Sequence, residues 1–142
     1  NNFIVRCPEN GILADYTRDC KILHNTIHGP DSRLKRLIRL VHDHEGLLVQ
    51  GNLLSGPAMR IETRSPMRIR GNVNGDFASA FVDAAAGDLH LGRPLPGVVD
   101  AARPLADVSR DIDAQPRDAR PDVGADELRP CCRDSRRSPA AG

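Results

Sequence analysis

Three groups of residues in this chain have the types and spacing to do chemistry. The densest sets Asp15, Tyr16 and Asp19 in register with His42, Asp43, His44 and Glu45, and then with Glu62 and Arg64. Carboxylates held about 5 to 9 Å apart can divide the acid and base work of glycoside hydrolysis, and an imidazole beside a carboxylate can act as a general base or hold a divalent metal. Asp43, His44, Glu45 and Asp19 are the candidate catalytic residues. The His42-x-His44 spacing is a weak ligand pattern, and no metal site is assigned from it. A solvated polar turn uses the same residue types, since perturbed surroundings rather than residue identities make a site.

A second group is a stripe of cations. Arg39 falls in register with Arg60, and Arg68 and Arg70 lie on the next segment, with Lys21 and Gln50 in their columns. Stacked guanidiniums can grip the carboxylates of an acidic polysaccharide, which makes these four arginines the candidate substrate-binding residues, and one of them could serve a polyuronate lyase as base. The competing reading is an ordinary wet face. Like charges about 5 Å apart repel, and apart from Lys21 and Lys35 every basic side chain is Arg, a bias that reflects coding composition.

The third group is acidic: Asp107, Asp111, Asp113, Asp122, Asp126 and Glu127 supply oxygen ligands of the kind Ca2+ takes, although no 12-residue calcium loop is present. Asp also closes turns through its own backbone hydrogen bonds, so a structural role competes here too. His90 lies between Leu89 and Leu91 on an alternating segment, which points it outward or into local packing.

What must position these groups is a repeat. Cys20-Lys21-Ile22-Leu23-His24-Asn25 returns as Leu47-Leu48-Val49-Gln50-Gly51-Asn52 and as Met67-Arg68-Ile69-Arg70-Gly71-Asn72, and an upstream apolar pair returns with it as Ile12/Ala14, Ile38/Leu40 and Met59/Ile61. Asn2-Phe3-Ile4 matches Asn25-Thr26-Ile27, so the chain begins inside the pattern and further coils are expected upstream. Short alternating segments at this period read as brief strands of a solenoid. Stacked in parallel about 4.8 Å apart, they form ladders: Ile12/Ile38/Met59, Ala14/Leu40/Ile61, Cys20/Leu47/Met67 and Ile22/Val49/Ile69. Cys20 is then a small core hydrophobe. Asn25, Asn52 and Asn72 form a structural column, each expected to take a left-handed turn conformation and to pass amide hydrogen bonds along the stack. Gly29 to Arg36 reads as a loop protruding from one corner.

Composition suits a thin, shared core: 39% of residues are hydrophobic, 3% aromatic, and there is no Trp. Twenty basic against 19 acidic residues leave a net charge of +1, which supplies no global field for nucleic acid. No apolar run approaches a membrane span, and no export leader opens the chain. The four cysteines show no CxxC spacing, and they do not identify a redox compartment.

On these repeats, residues 1–75 resemble the last coils of a right-handed parallel β-helix of the pectate-lyase-like type, about three terminal coils. From Asp76 the ordered series Phe81-Val82-Asp83, Gly87-Asp88-Leu89-His90-Leu91, Val99-Asp100-Ala101, Asp111-Ile112-Asp113, Pro116-Arg117 and Pro121-Asp122-Val123-Gly124-Ala125-Asp126-Glu127 resembles the C-terminal segment of bacterial surface β-helix proteins called choice-of-anchor Q. Ala102 and Ala114 stand where that pattern usually has Gly, and Asp118-Ala119-Arg120 replaces a Gly-rich linker. The resemblance implies an exported, secreted or cell-surface parent.

The resulting expectation is all-β: coils over 1–75, an irregular cap over 76–128 that offers an apolar lid for the open end and wraps back over the coil, and a disordered tail over 129–142 whose basic, two-cysteine composition suggests an out-of-frame ending. The function expected is that of a mainly structural C-terminal part of a protein that binds or processes polysaccharide, with any lyase or glycosidase rungs upstream. The alternative is a non-enzymatic adhesion stalk presenting loops. Exposed strand edges predict edge-to-edge self-association.

Overall fold

The computed structural model describes residues 1–129; the expected tail lies outside the described residues except for Arg129. Ten short strands precede Asp76: β1 (Phe3–Val5), β2 (Ile12–Arg18), β3 (Lys21–Leu23), β4 (Thr26–His28), β5 (Ile38–Glu45), β6 (Leu48–Gln50), β7 (Leu53–Ser55), β8 (Arg60–Glu62), β9 (Arg68–Arg70) and β10 (Val73–Gly75). They form three parallel sheets, β2-β5-β8, β3-β6-β9 and β1-β4-β7-β10, the stacked arrangement of a β-solenoid. Each strand pairs with its equivalent one repeat away, because only that register keeps apolar side chains in shared columns.

The pairing aligns Ile12 with Ile38, Ala14 with Leu40 and Leu40 with Ile61 in the first sheet, and Ile22 with Val49 and Ile69 in the second. Inward residues of all three sheets, including Ile27, Leu40, Leu47, Val49 and Leu54, make one core, against which Ile12, Ile22, Met59 and Met67 pack. Cys20 departs from its expected place. Its side chain is exposed and its thiol donates to the Arg18 carbonyl, because it stands between the end of β2 and the start of β3, just after Asp19, whose positive φ of 51° turns the chain. The buried thiol is Cys7, which packs in the core and whose pKa is pushed up by burial.

At the corner between the second and third sheets, amides run through the stack. Asn2 donates to Asn25, Asn25 to Asn52 and Asn52 to Asn72, each Nδ2 to Oδ1 at 2.8 Å. Asn52 Oδ1 also accepts the Asn25 backbone N–H, and Asn72 Oδ1 that of Asn52, both at 3.0 Å. The left-handed residue is not the Asn but the one before it: His24 (φ 47°), Gly51 (φ 70°) and Gly71 (φ 61°). That residue turns the corner, and the Asn side chain fills it.

After β10 the texture changes to 3₁₀ turns at Ala78–Ala80 and Ala106–Val108, an antiparallel hairpin of β11 (Phe81–Asp83) and β12 (Asp88–Leu91), and extended chain. Phe81, Leu89, Leu91, Val98 and Val123 make a second core with Leu53, and Phe3, Val5 and Val73 pack against it. This segment therefore lies along the outward face of the third sheet and, where Leu105 and Val108 pack on Leu23 and Leu48, of the second, so that it wraps back over the side of the coil. Ile61 and Ile69, on the last strands of their sheets, remain 50% and 37% exposed. The reason is that strands β1 and β7 carry apolar side chains on both faces and β10 adds Val73 to the outward one, so this sheet has a second surface to bury.

The Gly29–Arg36 loop is likewise less free than expected. Ser32 is buried and donates to the Glu9 carbonyl at 2.6 Å, Arg33 N–H donates to Pro8 O, and Arg36 Nε donates to Asn10. The turn is folded down onto residues 8–10.

Candidate functional site

The first chemical group sits where β2 and β5 share a bulge. Pairing shifts register between Asp15 and Thr17, and Tyr16 and His42 both take left-handed φ values, 46° and 55°. The bulge re-aims side chains out of the ladder. Tyr16 and His42 stack with ring centroids 4.8 Å apart and planes 10° from parallel, and His42 Nδ1 lies 2.7 Å from Asp15 Oδ1. Tyr16 is 69% exposed. A groove of about 410 Å³ is lined by Tyr16, Thr17, Arg18, Asp43, His44 and Glu45.

Within it the candidate residues occupy different situations. His44 is buried; its Nδ1 lies 2.9 Å from Thr17 Oγ1, its backbone N–H donates to Ser65 Oγ, and its Nε2 is buried without a partner among the described residues. Asp43 is exposed and accepts from the Ser65 hydroxyl at 3.4 Å. Glu45 pairs with Arg18 at 2.9 Å, both well exposed. Asp19 N–H donates to the Glu45 carbonyl at 2.7 Å, and its carboxylate lies against Gly46, at the turn. The arrangement offers an aromatic face with adjacent carboxylates and a cation.

The arginine stripe is largely spoken for. Glu62 lies 2.6 Å from Arg39, 2.8 Å from Arg60 and 3.9 Å from Arg36, and the Arg39 hydrogen bond, assisted by these charges, holds the Glu62 carboxyl below its ordinary range. Arg70 Nε donates to Gln50 Oε1 at 2.8 Å. Arg68 is exposed on β9.

The six acids of the C-terminal segment divide. Asp107 pairs with Lys21 at 3.0 Å. Asp122 accepts the backbone N–H groups of Asp100 (2.8 Å) and Leu128 (2.7 Å), while Glu127 accepts from Asp122 N–H and from the buried Arg117 guanidinium. Arg117 also reaches the carbonyls of Gly124 and Ala125. Burial raises the pKa of both Asp122 and Glu127. These groups tie the strap, residues 121–127, across the coil's Asn corner: Gly124 N–H donates to Gly51 O, Ala125 N–H to Thr26 Oγ1, and His24 Nδ1 lies 3.2 Å from Gly124 O. A Cβ on Gly51 would come within 2.7 Å of His24 Nε2, so only glycine leaves the imidazole its place. Desolvation, with the Arg117 charge, lowers the His24 pKa to about 4.

The remaining acids gather around a residue the sequence left as ordinary packing. His90 Nδ1 lies 2.5 Å from Asp88 Oδ1 and its Nε2 3.1 Å from Asp113 Oδ2. One ligand-type atom each from His90, Asp113 and Asp126 falls within 4.8 Å of the others. Burial acts to lower the His90 pKa, but Asp88, Asp126 and Asp113 outweigh it and the net shift is upward; the His90 hydrogen bond lowers that of Asp88. Asp126 is raised, by burial first and by the charges of Asp111 and Asp113. The Asp-x-His and Asp-x-Asp alternations were the available signal, since each puts two polar side chains on one face of extended chain.

A larger cavity, about 520 Å³, opens between Val5–Pro8, His28–Asp31 and the Ala84–Ala85 turn. Among the described residues no helix is long and apolar enough to cross a membrane. Comparison with protein-family models, with curated proteins and with solved structures finds no match for this chain.

Proposed function

We propose that the chain is the coil-and-strap ending of an exported, right-handed, pectate-lyase-like β-helix protein with a choice-of-anchor Q-like C-terminal segment, and that it contributes a glycan-binding groove while any catalytic rungs lie upstream. The observation that carries the binding role is the exposed Tyr16 ring, stacked on His42 at the edge of a groove shared with Asp43, Glu45 and Arg18. Aromatic faces take the apolar faces of sugars, and flanking carboxylates and guanidiniums accept and donate to hydroxyls. The alternative role of the arginine stripe as a uronate grip is weakened by Glu62, whose carboxylate already pairs with Arg39 and Arg60 and offsets part of their charge.

Titration calorimetry with polygalacturonate, alginate and a neutral β-glucan tests this. The intact chain binds at least one of them, and Tyr16→Ala weakens that binding about tenfold or more, a loss of about 1.4 kcal/mol. Absence of binding to all three, or an unchanged affinity in Tyr16→Ala, overturns the groove and favours a stalk that only presents loops. Cleavage of any of the three by this chain, abolished in Asp43→Ala, would move the chemistry into this groove.

A further inference from the structure

We propose that His90, Asp113 and Asp126 form a binding site for a divalent transition metal of the zinc class, with Asp88 orienting the imidazole and the buried Asp111 holding the Asp113 backbone and adding negative charge nearby.

The elements that build it come from three stretches of chain. β12 supplies Asp88 and His90, which share a face because side chains alternate along a strand. A turn supplies Asp111 and Asp113, where Asp111 Oδ1 accepts the Asp113 and Gln115 N–H groups. Asp126 comes from the strap. Two bonds bring the three together: Ile112 N–H donates to Ala125 O at 2.8 Å, and Leu91 N–H to Asp126 Oδ2 at 2.7 Å. Ala114 holds the turn in a left-handed conformation, φ 62°, at a position a glycine would occupy at less cost.

Three features point to a cation. First, both ring nitrogens of His90 face carboxylate oxygens. With Nδ1–H committed to Asp88, the other nitrogen presents to Asp113 either a second proton or, once deprotonated, a lone pair to a metal. The Asp88–His90 pair has the form of the carboxylate–histidine arrangement that fixes the tautomer of metal-bound imidazoles. Second, the 3.1 Å separation of Nε2 from Asp113 Oδ2 is the spacing of two neighbouring ligands around an ion with bonds of about 2.1 Å. Third, Asp111 is 5% exposed and its Oδ2 is buried without a hydrogen-bond partner among the described residues, beside Asp113, whose N–H its other oxygen holds. A carboxylate oxygen left bare next to further carboxylates is unfavourable unless positive charge is supplied. Asp113 is exposed, so the ion has a path from solvent. One imidazole among carboxylates suits zinc better than calcium, which takes oxygen alone.

The intact chain, freed of metal with a chelator and with its solvent-accessible thiols alkylated in the folded state so that they cannot compete, is titrated with zinc chloride and, separately, with calcium chloride. The expected result is one equivalent of zinc bound, more tightly than calcium. His90→Ala and Asp113→Asn each weaken zinc about tenfold or more, Asp88→Asn weakens it about tenfold, and Asp31→Asn, on the remote loop, leaves it unchanged. The His90 Nε2 resonance in a nitrogen NMR spectrum moves on zinc addition. Absence of a stoichiometric zinc equivalent, equal zinc affinity in His90→Ala, or tighter calcium than zinc would overturn the proposal. Because the unaltered protein is titrated first, failure of a variant to fold does not shield it.

Discussion

Two corners of the same coil, a few residues apart in every repeat, have become different kinds of surface. At the Tyr16–His42 corner the chain turns through left-handed residues and exposes them; the rings stack in solvent beside Asp15. At the His24–Gly51 corner the chain also turns through left-handed residues, but amides fill the inside and the strap covers the outside, leaving His24 1% exposed. Left-handed residues, in a bulge within the first sheet or at the bend between the second and third, therefore yield an open groove or a sealed joint according to what is laid over them. The chemistry of an imidazole follows the cover, as desolvation keeps His24 neutral well below the range of an ordinary histidine.

The sharpest way to break this comparison is to cut the sealed corner. Asn52→Ala removes the oxygen that accepts from Asn25 twice and the amide that donates to the Ile22 carbonyl and to Asn72, leaving several buried groups without partners. At about 1 to 3 kcal/mol for each buried group left unsatisfied, a loss of about 4 kcal/mol is expected, read as a lower urea midpoint. A loss under about 1 kcal/mol would mean that water replaces the ladder.

Acid sharpens it further. The folded-state pKa of His24 lies near 4, below the 6.5 of an unconstrained imidazole, so between those values the unfolded chain binds a proton that the folded chain does not. Stability from this group is complete above about pH 6.5, falls as pH drops towards 4, and is lost by about 3 kcal/mol at most. Asp122, Asp126 and Glu127, whose pKa values are raised by burial, work in the opposite sense over part of the same range. The difference in pH slope between the protein and its His24→Asn variant isolates the imidazole. A His24 resonance titrating near 6.5 in the folded protein would show that the strap does not seal the corner.

The smallest effect belongs to the open corner. Asp15→Asn weakens the exposed contact with His42, and exposed pairs are worth about 0 to 1 kcal/mol, so thermal unfolding should move by no more than a few degrees. A larger shift would show that the groove residues hold the coil together, which would count against their being free to meet a ligand.

Much of the coil was legible in advance because a parallel stack places each residue against its counterpart one repeat away. Ile22, Val49 and Ile69 share a column for the same reason they share a motif position, and the Asn amides meet at separations of 23, 27 and 20 residues. The groove was legible as a set of residues, since the turn that holds them repeats too. Its bulge, which exposes Tyr16 and buries His44, was not, because a register slip within a pair leaves no trace in the period.

The strap and the cluster around His90 escaped for a different reason. The strap's contacts join residues 99 or 100 positions apart, as between Ala125 and Thr26 or Gly124 and His24, and the cluster joins His90 to Asp113 and Leu91 to Asp126, 23 and 35 positions apart in a segment without a repeat, so no spacing rule connects such pairs. Cys20 kept its place in the motif and lost its place in the core, because it falls in the turn after Asp19, ahead of β3, where the chain has not yet aligned with the ladder. By itself the amino-acid sequence determined the repeat, the parallel register and the ladder, all of which depend on near-identical units meeting their copies. Tertiary structure alone decided which sheet face the C-terminal segment covers, which histidine is sealed, and which carboxylates converge on His90, because those outcomes depend on how a non-repeating chain packs onto the finished coil.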